Sequence, residues 1–226
     1  MNKLIPALII VGIIILGFIL KLIELNKIIR RLDFTSSYHK KFIAFMDEIM
    51  LYSRFDQQLY YELTLEVNAM QYELGTDGII AYMKDNLKGI CARDYQLLVN
   101  FLPELRYILN CKRDSILMDR YNQSASNCDD MFIRHLGTLT EAEKSIRKNL
   151  FNPFSCFSNG VRFIISIPIL LLRWFGFISD ETAQKASRSW LLKLVNIVCT
   201  LVGFIGGLMS IIMGWDEFWQ MICNIL

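Results

Sequence analysis

Two histidines are all the imidazole this chain of 226 residues carries. His39 and His135 stand in no H-E-x-x-H or E-x-x-H spacing, which excludes the common zinc-hydrolase arrangement. Glu62, Glu66 and Glu73 share one helix face, but di-iron bundles combine such carboxylates with Glu-x-x-His pairs, so here they read as a solvated acidic face. No G-x-S-x-G, P-loop or G-x-G-x-x-G stretch occurs. The six cysteines (Cys91, Cys111, Cys128, Cys156, Cys199 and Cys223) include no C-x-x-C. Their scatter does not suit a small secreted scaffold and fits reduced thiols of a cytosolic domain. A cysteine nucleophile would need a histidine and an orienting partner that the sequence does not supply. The expectation is a non-enzyme without metal or cofactor. There are only four prolines, no internal repeat and no low-complexity linker.

A basic surface is also missing. Asp33–Leu150 holds 14 Lys/Arg against 17 Asp/Glu, a balance of −3, so the central region is not a nucleic-acid platform. The excess of positive charge lies in the flanking segments, with 10 basic and 5 acidic residues. The sequon Asn122-Gln-Ser124 would matter only in a lumenal domain. What the chain has in abundance is apolar surface: 54% of it is hydrophobic, with a mean hydropathy of +0.34. That predicts membrane segments plus one soluble domain of ordinary size.

Leu4–Leu20 is uncharged, and with a snorkelling Lys21 and Leu22–Ile23 it reaches the roughly 20 residues of a span. No small-x-small cleavage site follows, so it reads as an uncleaved anchor. Lys27, Arg30 and Arg31 follow it, and the positive-inside rule places the N terminus outside and the central domain in the cytoplasm. Leu22–Leu32 continues the helix as a stalk.

The second predicted span is Leu191–Met213, preceded by Lys185, Arg188 and Lys193 and followed by Asp216 and Glu217. It runs outward from the cytoplasm. Trp190 and Trp215 bracket it as interfacial aromatics. Trp219 belongs to a short amphipathic tail along the outer interface. Between domain and span, Phe151–Ile178 has an uncharged core, Phe163–Leu172, of about half a span. Pro168 interrupts it, Arg162 and Arg173 bound it, and Trp174 marks the interface. It reads as interfacial or re-entrant, with turns at Asn152-Pro153 and Asn159-Gly160. A third full crossing is the competing reading and would reverse the last span.

Asn196, Thr200, Gly203, Gly207, Ser210 and Gly214 recur at four- and three-residue steps, so they share one face of the second span. All are small or hydrogen-bonding, so that face meets a helix or water. As a packing seam, Gly203-x-x-x-Gly207 and Gly206-x-x-x-Ser210 admit close approach of the first span, with Gly12 and Gly17, or of another subunit. As a pore, Asn196, Thr200 and Ser210 would line water, with Lys193 forming a cationic ring at the cytoplasmic mouth.

The central region shows helical stripes: Tyr38, Phe42, Phe45, Ile49 and Tyr52; Leu59, Leu63, Val67, Met70 and Leu74; Tyr95, Leu98, Leu102, Leu105 and Leu109; Leu117, Tyr121, Ser124, Cys128 and Met131. Asp56 is a candidate N-cap and Gly75 a helix stop. Pro103 kinks or splits the third helix. Thr138 with Glu141 is a capping box for a further helix to about Asn149. No run alternates as a strand would. Anchor, stalk and helical domain, with Arg120-Tyr121-Asn122, resemble the LemA family. That family lacks a second glycine-striped span, and nothing of it is carried over.

The sequence therefore predicts an all-α integral membrane protein with two transmembrane helices and a cytosolic helical bundle between them. Its parts are an anchor and stalk (1–32), a cytosolic bundle (33–150), an interfacial or re-entrant segment (151–180), and a second span with its tail (181–226). The expected function is non-catalytic: oligomerisation, or assembly as a membrane-complex subunit, through the small-residue face, and docking of a cytosolic partner. The alternative is a pore-forming or membrane-permeabilising effector gated by the bundle. The expected partners are membrane lipid, further copies and a cytosolic protein, with no nucleic acid.

Overall fold

A computed structural model describes residues 4–85, 90–111, 115–177, 179 and 189–213. The chain is mostly helical. It divides into two compact units, Met1–Asn26 with Lys144–Leu226, and Lys27–Glu143.

Helix α1 runs from Leu4 to Met50. The separate helix expected from Tyr38 is its continuation, since no proline or glycine interrupts the chain after Gly17. Helix α2 covers Gln57–Leu74, capped by Asp56, whose carboxylate accepts from the Gln58 and Leu59 amides, and stopped at Gly75 with φ +53°. Both ends follow the sequence expectation, and such a cap contributes about 1 kcal/mol.

The next segment corrects the sequence reading. Strands β1 (Ile79–Asp85) and β2 (Ile90–Gln96) form an antiparallel hairpin where no strand was expected. Tyr95, placed on a helix by its spacing, pairs across the ladder with Ile80. Helix α3 is therefore only Leu97–Glu104, ending just after Pro103 and passing into a 3-10 turn, Leu105–Cys111. Helix α4 runs unbroken from Ser115 to Asn149. Thr138 starts no new helix; its hydroxyl donates back to the Arg134 carbonyl, 3.1 Å away.

The core of the second unit uses the predicted stripes. Tyr38, Phe42, Phe45 and Ile49 are buried against Leu63, Met70, Leu98, Leu102, Leu105, Cys128 and Met131. Tyr52 departs from its stripe and is exposed, because α1 has already ended. Phe132, absent from the predicted stripe, stacks on Tyr38, His39 and Phe42 with ring centroids 5.2–5.8 Å apart. The Tyr38 hydroxyl donates to the Leu63 carbonyl at 3.0 Å. Burial, with Glu66 adding to it, holds this phenol well above its ordinary range, and burial with the nearby Asp129 does the same to the Cys128 thiol.

In the first unit, the start of α1 packs with α5 (Pro153–Trp174) and α6 (Trp190–Met213). Asn152 caps α5 through its side-chain oxygen to the Phe154 and Ser155 amides, with Pro153 in the first-turn position that suits it. Helix α5 continues through Pro168, so the expected interruption there does not occur. Proline removes one amide donor, and the Ser166 hydroxyl bonds the nearby Phe163 carbonyl at 2.7 Å. The turn expected at Asn159-Gly160 is also helix. Among the described residues, two helices are long and apolar enough to cross a membrane, Leu8–Met50 and Pro153–Leu172; α6 holds a shorter described apolar run, Lys193–Gly207.

Candidate functional site

The described part of the small-residue face of α6, Asn196 to Gly207, is covered within the first unit. A Cβ on Gly203 would lie 3.2 Å from the Phe157 ring, and one on Gly207 would strike the Ile10 side chain. Asn196 donates to Ser158 Oγ at 3.5 Å. Thr200 is buried. Phe204, beside the face, packs edge-on against Phe154 with centroids 5.1 Å apart. The face thus meets α5 first and then α1.

A second crossing, which the sequence did not single out, is tighter. A Cβ on Gly17 would collide with the Cys156 carbonyl oxygen and sit 2.9 Å from the Gly160 amide. One on Gly160 would collide with the Ile13 carbonyl oxygen. Helices α1 and α5 therefore touch backbone to backbone, which only glycine at both positions permits. Gly12 and Gly17 were expected against α6; Gly17 meets α5 instead, and Gly12 has open space around it, as does Gly206.

Outside these seams the unit is aliphatic. Leu8, Ile15 and Ile19 on α1, Ile164, Leu171 and Leu172 on α5, and Ile197, Val202 and Ile205 on α6 are all exposed. Gly17, Gly160, Gly203 and Gly207 face inward with Asn196 and Thr200, while large aliphatic side chains of all three helices face outward. Among the described residues the buried Asn196 Oδ1 and Thr200 Oγ1 have no hydrogen-bond partner.

Lys21 does not snorkel. It is buried, and its ammonium donates to the Asn149 carbonyl at 2.5 Å and to Ser155 Oγ at 2.6 Å. It neutralises the carbonyl end of α4 and ties it to the first turn of α5. Beside this lies an open cleft of about 680 Å³ that brings Glu24, Arg162, Lys193 and Asn196 together. Its wall includes Leu20 on α1 and Ile197 on α6. Because this end of α6 shares a cleft with Leu20–Glu24 while Gly207 meets Ile10, α1 and α6 run antiparallel.

Of the other predicted interface residues, Trp174 is exposed at the end of α5, in edge-to-face contact with Phe175. The side chains of Arg173, Trp190 and Ser210, and the whole of Gly214, Trp215 and Trp219, lie outside the described residues.

The second unit carries polar clusters of its own. His135 is buried between two carboxylates, with Nε2 3.1 Å from Glu73 and Nδ1 3.1 Å from Asp77. Arg31 adds a 2.7 Å bond to Glu73. His39 faces Asp129 at 2.5 Å. Lys41 bridges Glu62 and Glu66 at 3.2 and 3.5 Å. The three glutamates thus have cationic partners and do not converge; among the described residues no group of three or more His, Cys, Asp and Glu could hold a metal ion. No protein-family model, curated protein or solved structure matches this chain.

Proposed function

We propose that the protein is a non-catalytic integral membrane protein whose first unit sits in the bilayer and whose second unit offers a cytosolic partner a docking domain. The observation that carries this is the inverted distribution of the first unit, with glycine and hydrogen-bonding groups in its seams and exposed leucine, isoleucine and valine on three helices. Water would penalise that surface by roughly 25 cal/mol per Å², whereas lipid accepts it. The antiparallel course of α1 and α6 supports an N terminus outside and both Lys193 and the stalk bases on the cytoplasmic side. Arg162 shares the cleft with Lys193 and Glu24, which supports α5 entering from that same side as an interfacial or re-entrant helix. The covered small-residue face favours packing within the chain, leaving the aliphatic shell for contacts between copies. Alkaline carbonate extraction of membranes from expressing cells tests the reading. The full chain should stay with the bilayer, and release into the supernatant would refute it.

A second reading, a permeabilising effector, is favoured by the orphaned Asn196 Oδ1 and Thr200 Oγ1. Each buried, unpaired oxygen costs about 1–3 kcal/mol, which a rearrangement exposing the seam to water would recover. Dye release from liposomes bearing the full chain, abolished by Thr200→Val, would support it; sealed liposomes under all conditions would exclude it.

A further inference from the structure

We infer that the cleft between α1, α5 and α6 is a binding site for an anionic phospholipid of the cytoplasmic leaflet, an inference that rests on the membrane reading above. Its volume, about 680 Å³, falls within the roughly 300–1,000 Å³ of small-molecule sites. The charged lining is two cations, Arg162 and Lys193, against one anion, Glu24. Among the described residues neither cation has an ion-pair partner, so the cleft retains one uncompensated positive charge. Asn159 and Ser166 add hydrogen-bonding groups.

The remaining wall is apolar, from Phe163 and Leu170 on α5 to Ile197 on α6. It continues into the exposed aliphatic surface of the same helices. A polar, net-cationic head region opening onto an apolar wall matches an amphiphile whose phosphate carries the negative charge. A free phosphate would leave that wall uncovered, and a zwitterionic lipid would bring an ammonium with its phosphate and leave the net positive charge of the cleft uncompensated. Guanidinium is suited to grip two phosphate oxygens at once, while the Lys193 ammonium acts as a point charge.

The test uses the full chain, delipidated in mild detergent and mixed with equal amounts of dioleoyl phosphatidylglycerol and dioleoyl phosphatidylcholine. Native mass spectrometry counts the retained lipid. Phosphatidylglycerol adducts should dominate. Arg162→Gln and Lys193→Gln should each weaken retention about fivefold, the effect of one basic residue on an anionic lipid. Arg162→Lys should retain most of it, showing that the fold survives change at this position. Lys148→Gln, outside the cleft, should change nothing. Equal retention of both lipids, unchanged binding in the two Gln variants, or displacement of the lipid by millimolar inorganic phosphate would overturn the assignment. Flotation with pure phosphatidylcholine vesicles separates the two levels of the argument. A chain that does not float defeats the membrane reading, while one that floats but shows no anionic preference defeats the lipid site alone.

Discussion

Replacing Gly17 by alanine adds one methyl group where α1 and α5 meet backbone to backbone. The new Cβ would overlap the Cys156 carbonyl oxygen and stand 2.7 Å from its carbonyl carbon, whereas ordinary contact begins at 3.4 Å, so α5 must retreat by well over the roughly 0.7 Å that the carbon alone would need. Neither neighbour is the loose end of a side chain, so the strain falls on two helix backbones. Overpacking of this kind costs about 1–3 kcal/mol. Alanine returns up to ~1 kcal/mol through its better helix propensity. Because the overlap is with backbone atoms, the overpacking cost lies at the upper end of its range, and the net loss of about 2 kcal/mol raises the population of separated helices roughly 30-fold, since 1.4 kcal/mol is about tenfold. Gly12→Ala is the matched control: that glycine lies on the same helix with nothing within 4 Å, so only the propensity gain applies. Cys156 reports the result directly, because its thiol is 2% exposed and donates to the Leu150 carbonyl inside this crossing. Alkylation of Cys156 by a small maleimide, followed by mass spectrometry on the detergent-solubilised chain, should speed up in Gly17→Ala and stay slow in Gly12→Ala. Buried Cys128 in the other unit serves as internal reference. Equal Cys156 labelling in the two variants would refute the close crossing.

Three further outcomes follow from the second unit and from the topology. His135→Ala removes the imidazole that bridges Glu73 and Asp77; with Asp77 partly solvated the cost is about 1–3 kcal/mol, read as a lowered melting temperature, and a Tm equal to wild type would contradict the clamp. Because the Cys128 and Tyr38 pKa values are raised in the fold, the unfolded chain ionises first. The contribution of these two groups to stability should be constant below about pH 8.5 and then fall with rising pH, by up to ~1.4 kcal/mol per unit and group, the thiol beginning near 8.5 and the phenol near 10. In urea titrations, Cys128→Ala should move that onset up to about pH 10; an unmoved onset would show that the thiol does not contribute. Cys91, exposed on β2, should react with a membrane-impermeant maleimide only after cells are permeabilised, whereas Cys199, exposed on the aliphatic side of α6, should react poorly in both states; labelling of Cys91 on intact cells would reverse the proposed orientation.

The helical stripes were readable because burial of one face imposes a spacing of three and four, and Phe45, Leu63, Leu98 and Cys128 all occupy the core as that spacing requires. The caps of α2 were readable because Asp56 and Gly75 satisfy local rules that tertiary contacts did not override. The hairpin was missed for a related reason. Tyr95 stands three residues before Leu98 and mimicked a helical face, although Ile79, Ile80 and Tyr82 favour strand and Asp85–Gly89 has turn composition. Thr138 and Glu141 satisfy a capping pattern in the middle of α4, where Thr138 is instead satisfied by the carbonyl of Arg134. In the seams, the face of α6 was legible as something apart from lipid, but what covers it was not. Gly160 shows why: next to Asn159 it carries a turn signature, and only the approach of Ile13 and Gly17 explains glycine within a helix there.

Lys21 concentrates the same lesson into one side chain. At the end of an uncharged run a lysine ordinarily reaches for water, because an unpaired buried ammonium is costly. Here two acceptors arrive from 128 and 134 residues away, the Asn149 carbonyl and Ser155 Oγ. The last carbonyls of α4 have no partners within their own helix, and the residue that must end that helix, Asn149, lies just before the Asn152-Pro153 start of α5. One cation from α1 thus fills a vacancy that the α4–α5 junction creates. It does so one turn beyond Gly17, where α1 and α5 come into backbone contact. The glycine pair sets how near the helices lie, and the lysine fixes the register at which they meet, since sliding α5 by a turn would strand the ammonium among aliphatic groups. Small residues alone would permit many alignments of two apolar helices; a single buried charge with two matched acceptors selects one.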